Sequence, residues 1–158
     1  MNATPPFPPR TALRLSFLAL APLAISALVS LSRHFETAHI AVLSFSIYAA
    51  ALLSFLGGVR CGFELMRAPS APSPPRLVFS AVPALAGWML ALFVVLVPTA
   101  GGAASAFAGL FAAQYAWDHR SAADAGAPAW YPVLRQVMTG GAMLVCLIVP
   151  LANALHRF

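Results

Sequence analysis

IAVLSFSIYAAALLSFLGGVRCGFELMR, residues 40–67, decides the reading of this chain. Twenty residues, Ile40 to Val59, pass without a charge before Arg60. At 1.5 Å per residue, a helix of about that length covers the roughly 30 Å hydrocarbon layer of a bilayer. The helix then continues through Arg60, Glu64 and Arg67, an added turn or two suited to the headgroup region.

The flanks repeat the pattern. Upstream, Ala12–Leu31 is apolar except for Arg14, and Pro22 within it is the kind of helix breaker that membrane spans tolerate. Arg33, His34, Glu36 and His39 read as a polar loop between the two spans. The first ten residues hold four prolines and Arg10, so residues 1–11 are expected to be a flexible tail. A secretory leader would need a shorter apolar core and a clear A-x-A cleavage site. Downstream, Pro69, Pro72, Pro74 and Pro75 make Ala68–Pro75 a stiff loop closed to regular helix. A third span, 77–97, ends in the uncharged reversal Pro98–Gly102. The fourth is short and stops at Trp117, before a polar loop of Asp118, His119, Arg120 and Asp124. The fifth starts near Val133, with Arg135 at its head and Pro150 inside. The prediction is an all-α polytopic membrane protein: a small bundle of five transmembrane helices at about 12–31, 40–60, 77–97, 100–117 and 133–155, in one domain spanning 12–158.

Composition agrees. The 158 residues are 61% hydrophobic and 8% charged, against about 25% charged in soluble domains. All nine basic residues are arginine, and the net charge is +5. They are scattered rather than gathered in a stripe, so no nucleic-acid partner is expected. The expected partners are the lipid bilayer and a homodimer or membrane-protein partner. With the N-terminus inside, seven arginines (10, 14, 60, 67, 76, 120, 135) lie on the inner side and two (33, 157) outside, which predicts N-in and C-out. The third–fourth hairpin carries that orientation: if it does not fully cross, the later loops change sides.

Few residues look out of place in lipid. Ser46, Ala50, Ser54, Gly58 and Gly62 recur every four residues, a column of small side chains with a Gly58–Gly62 GxxxG step that would let helix backbones approach. Ala104, Ala108, Ala112 and Ala116 repeat the spacing in an alanine-rich segment. Arg60 follows the apolar run directly and stands four residues before Glu64, so an ion pair along the helix is available. It reads either as an anchor snorkelling to the headgroups or as a buried polar or anionic-lipid site. Tyr48, Gln114 and Tyr115 also lie at membrane depth, and Trp130 and Tyr131 fit an interfacial aromatic belt beside Arg135. Cys61 and Cys146 form no CxxC pair, and the four histidines form no ligand cluster, so no metal, no cofactor and no catalytic residues are expected.

Two stretches resemble the DUF3429 family. YAAALLSFLGGVRCG, Tyr48–Gly62, is similar to its signature, with Ser54–Gly58 the specific core, and PAWYPVLR, Pro128–Arg135, is similar to a second common stretch. The resemblance covers roughly Leu15 to Leu155. It implies a membrane fold of this size, commonly of five spans. It points to Gly57, Gly58, Arg60, Gly62, Trp130, Tyr131 and Arg135 without assigning them chemistry. Family members commonly carry tryptophan where this chain has Cys61. The functional expectation is a non-enzymatic integral membrane protein, an accessory or assembly component. The alternative is a small transporter or channel using Arg60 and its polar neighbours. The alanine and arginine bias points to a bacterial inner membrane, with the mitochondrial inner membrane as the alternative.

Overall fold

A computed structural model describes residues 7–97, 100–121 and 127–155. These residues form five helices: α1 (Arg10–Val29), α2 (Phe35–Arg67), α3 (Pro74–Leu96), α4 (Ala100–Ser121) and α5 (Tyr131–Leu155). Four stretches are long and apolar enough to cross a membrane: α1, α2, α3 and Tyr131–Leu151 of α5. The 22 residues of α4 rise about 33 Å. However, α4 opens on Ala-Gly-Gly and closes on Asp118, His119 and Arg120, and it is not among the four.

Several boundaries differ from expectation, each for a local reason. Glu36 and His39 belong to the first turns of α2 rather than to a loop. An acidic residue in a first turn favours the helix dipole there, and the Phe35 and His39 rings stack at 6.0 Å. Pro74 and Pro75, expected to stop a helix, begin one, because the first turn has no use for the N–H that proline lacks. Asp118, His119 and Arg120 extend α4 by a turn past Trp117, and its basic end suits the dipole. Ala100–Gly102, read both as part of the reversal and as the start of the span 100–117, open α4 as that span has it. Pro98 and Thr99 of that reversal, the first six residues of the tail, and Asp124 lie outside the described residues. Pro22, Pro83 and Pro150 sit inside continuous helices.

α2 is the central helix. It packs on α1, α3 and α4, while the outer helices touch in the order α1, α5, α4, α3. Apart from Ala41, its buried residues fall on two seams of alternating three- and four-residue steps: Val42, Phe45, Ala49, Leu52, Leu56, and Ser46, Ala50, Leu53, Gly57, Arg60, Glu64. α1 buries Ser16, Leu20, Leu23 and Ala27 by the same rule. This seven-residue periodicity is that of helices packed lengthwise in bundles. On the α2–α3 face the register is legible at three points. Gly87 meets Ala50, Gly57 meets Ser80, and Glu64 meets Ser73, each seven residues from the next along both chains. A Cβ on Gly87 would stand 3.1 Å from the Ala50 Cα, and one on Gly57 would strike the Ser80 carbonyl oxygen. Lipid offers no hydrophobic drive between helices, so such backbone approach supplies the dispersion contact instead. The Phe45 and Phe107 rings, both fully buried, meet edge to face at 6.2 Å, an arrangement worth about 0.5–1.5 kcal/mol beyond burial.

The outward faces are apolar. Phe17, Leu18 and Ile25 on α1, Leu85, Trp88 and Met89 on α3, and Leu144 and Leu151 on α5 are each at least 60% exposed. So broad an apolar surface is untenable in water and natural in lipid. The chain is a multi-pass membrane protein.

Candidate functional site

The up-and-down packing gathers one end of the bundle from the start of α1, the end of α2, the start of α3, the end of α4 and the start of α5. Arg10, Arg14, Arg60, Arg67, Arg76, Arg120 and Arg135 all lie there. Four charged side chains at this end are buried: Arg60, Glu64, Asp118 and Arg135.

Glu64 closes the α2–α3 turn. Its carboxylate accepts from Arg67 Nε at 3.2 Å and Nη2 at 3.0 Å, from the Ser73 backbone N–H at 2.9 Å and from Arg76 Nη1 at 3.5 Å. The described partners of Glu64 come from the last turn of α2, the loop and α3.

The second cluster joins α4 to α5 and α2. Arg135 forms a salt bridge with Asp118, and its Nη2 donates to the Leu56 carbonyl at 3.4 Å. Gln114, one turn before Asp118, donates to the same carboxylate at 3.4 Å. Arg60 is 7% exposed, and its positive charge reaches Asp118. Of the two readings of Arg60, this burial favours the enclosed polar site. Its helix position faces the interior seam, so the side chain is enclosed rather than spread along the headgroups. Among the described residues the Thr139 hydroxyl, buried one turn past Arg135, has no hydrogen-bond partner. No three His, Cys, Asp or Glu side chains gather among the described residues.

The small-residue column does not act as one face. Each four-residue step rotates about 40° on a helix, so five positions wrap far around it. Ser46 and Ala50 are buried, Ser54 and Gly58 are exposed, and Gly62 is between. The Ser46 and Ser54 hydroxyls donate back to Val42 O and Ala50 O, both at 2.9 Å, within their own helix. A Cβ on Gly58 or Gly62 would meet nothing within 4 Å. The close approach belongs to Gly57 and Gly87, and to Gly141, where a Cβ would stand 2.6 Å from Leu20 Cδ1. The alanine column of α4 wraps likewise, from buried Ala104 to exposed Ala116.

Trp130 and Tyr131 border a groove of about 370 Å³ between α1, α2 and α5, and the Tyr131 ring meets Phe63 edge-on at 4.8 Å. Above this groove the Tyr48 hydroxyl donates to the Ala19 carbonyl at 2.8 Å, tying α2 to α1. Three residues of the packing carried no signal that was read in the sequence. Asp118 was assigned to a loop, although Gln114 and Asp118 at a four-residue step share a helix face. Gly87 and Thr139 drew no notice, since neither sits in a small-residue column.

The model of a protein family described as of unknown function, DUF3429, matches residues 8–151. A stretch of 47 residues is 49% identical to Transmembrane protein 69 of Xenopus tropicalis, covering 29% of this chain and 19% of that protein. The match thus spans about a fifth of the relative's length. No solved structure matches the chain.

Proposed function

This chain belongs to the DUF3429 family of proteins of unknown function, and from that premise we propose that it is a non-enzymatic accessory or assembly component of a bacterial inner membrane. In this reading all five helices cross, with the N-terminus inside and the arginine end facing the cytoplasm. The observation that carries it is how the two buried carboxylates are used. Glu64 holds the α2–α3 turn, and Asp118 holds α4 to α5. Charges spent on joining helices support a scaffold better than a conduit, since breaking such a pair during transport would cost about 3–5 kcal/mol.

Ser54 and Gly58 remain the positions at which to seek a partner, because both are exposed and Gly58 has open space beside it. Single cysteines at either site, in a chain whose Cys61 and Cys146 are replaced, are expected to crosslink to a second copy or a membrane partner in native membranes. Consistent absence of any adduct at both sites would count against the proposal. The transporter alternative draws on the burial of Arg60 at this end of the bundle. Proteoliposome flux that disappears with Arg60→Ala would favour it; no flux for any tested ion would remove it.

A further inference from the structure

The groove between α1, α2 and α5 lies at the arginine end and is walled by carbon, chiefly Leu15, Phe55, Val59, Phe63 and Leu134. Of the polar side chains on its border, which include Trp130 and Tyr131, Ser16 and Arg135 are already engaged. The Ser16 hydroxyl donates to Ala12 O at 2.9 Å, and the Arg135 guanidinium is held by Asp118 and the Leu56 carbonyl. An apolar hollow of this kind does not hold water, for want of polar partners. Leu15 and Phe55 line it and are also 60% and 58% exposed on the outer surface. The groove is therefore continuous with the lipid-facing flank, and the surrounding apolar material there is acyl chain.

Charge identifies the headgroup. Among the described residues this end carries seven arginines against Glu64 and Asp118. Arg10 and Arg14 each stand two residues from the groove-lining Ala12, hence on the other side of α1. Arg67 is different. Val59, Phe63 and Arg67 follow at four-residue steps along α2, turning about 40° at each, which puts Arg67 one turn beyond the groove. Its side chain is 37% exposed even while it holds Glu64. Glu64 is shared between two arginines, Arg67 and Arg76.

We propose that this groove seats one acyl chain of an anionic phospholipid whose phosphate meets Arg67. The inference rests on the chain being embedded in a membrane and is independent of the direction of insertion.

Trp130 borders the groove and is one of three tryptophans, so Trp88→Phe with Trp117→Phe leaves it as the single reporter. The full chain is reconstituted in vesicles containing brominated phosphatidylglycerol or brominated phosphatidylcholine, and Trp130 fluorescence is read. The anionic lipid is expected to quench at a lower mole fraction, by roughly fivefold for one surface arginine. Arg67→Gln is expected to make the two lipids equal. Ala12→Phe, which fills the groove from its half-buried edge, is expected to lower quenching by both. Equal quenching before any groove substitution, or undiminished preference after Arg67→Gln and Ala12→Phe, overturns the proposal. Vesicle flotation of the same samples separates the two claims. A protein that floats yet shows no preference sinks the lipid site alone, whereas one that does not float sinks the membrane reading beneath it.

Discussion

Adjacent glycines on α2 should respond oppositely to the same added methyl group. Alanine in place of glycine inside a helix gains about 0.5–1 kcal/mol from reduced chain freedom in the unfolded state. At Gly58 nothing lies within 4 Å of the new Cβ, so Gly58→Ala keeps that gain. At Gly57 the Cβ strikes the Ser80 carbonyl oxygen, which is backbone and cannot rotate aside. α2 and α3 must part along their most extensive contact, and overpacking of this kind costs about 1–3 kcal/mol. The helix-propensity gain is common to both variants, so the difference between them isolates the steric cost: Gly57→Ala should be less stable than Gly58→Ala by about 1–3 kcal/mol. Reversible unfolding in mixed micelles by sodium dodecyl sulfate, followed by circular dichroism, measures it. A Gly57→Ala protein as stable as Gly58→Ala would refute the α2–α3 register.

Three further expectations follow from the arginine end and its neighbours. Asp118→Ala, which leaves Arg135 buried without its carboxylate, should lose about 3–5 kcal/mol in the same assay, and Asp118→Leu with Arg135→Met should recover most of it. Glu64→Gln removes the charge that holds Arg67, the Ser73 N–H and Arg76, so protease cleavage within residues 68–73 should rise at neutral pH; protection equal to that of the unaltered chain would contradict the clamp. Tyr48→Phe removes the hydroxyl bonded to Ala19 O and should cost about 0.5–1.5 kcal/mol, the net value of one such bond.

The helices were readable because long uncharged runs have few meanings in a chain this apolar. Their ends were less so. Pro74 and Pro75 looked like a stop and are a start, since proline is excluded from a helix interior but not from its first turn. Asp118, His119 and Arg120 looked like a loop because charge was equated with exposure, whereas Asp118 is buried against an arginine seventeen residues on. Arg60, Glu64 and Arg135 were singled out from sequence, and the fold brings all three to one end of the bundle. What joins them was not legible, because the partners Ser73, Arg76, Asp118 and the Leu56 carbonyl come from other helices and turns. The small-residue column misled for a geometric reason. Packed helices use steps of three and four in alternation, which selects Ala50 and Gly57, while a strict four-residue step drifts through Ser54 to Gly58 and out to the surface.

Whether α4, the least apolar of the five helices, crosses the bilayer decides on which side the later loops lie. Cysteine substitutions at Ser32, Ser70 and Pro128, in a chain lacking its own cysteines, can be probed with a membrane-impermeant maleimide on intact and on opened cells, together with a reporter fused after Phe158. Ser70 and Pro128 should label only after opening, and Ser32 and the C-terminal reporter should report the outer side. If the C-terminal reporter and Ser70 share a compartment, or Pro128 labels from outside, then α4 does not cross and the buried Asp118–Arg135 pair does not lie at the cytoplasmic end of a five-span bundle.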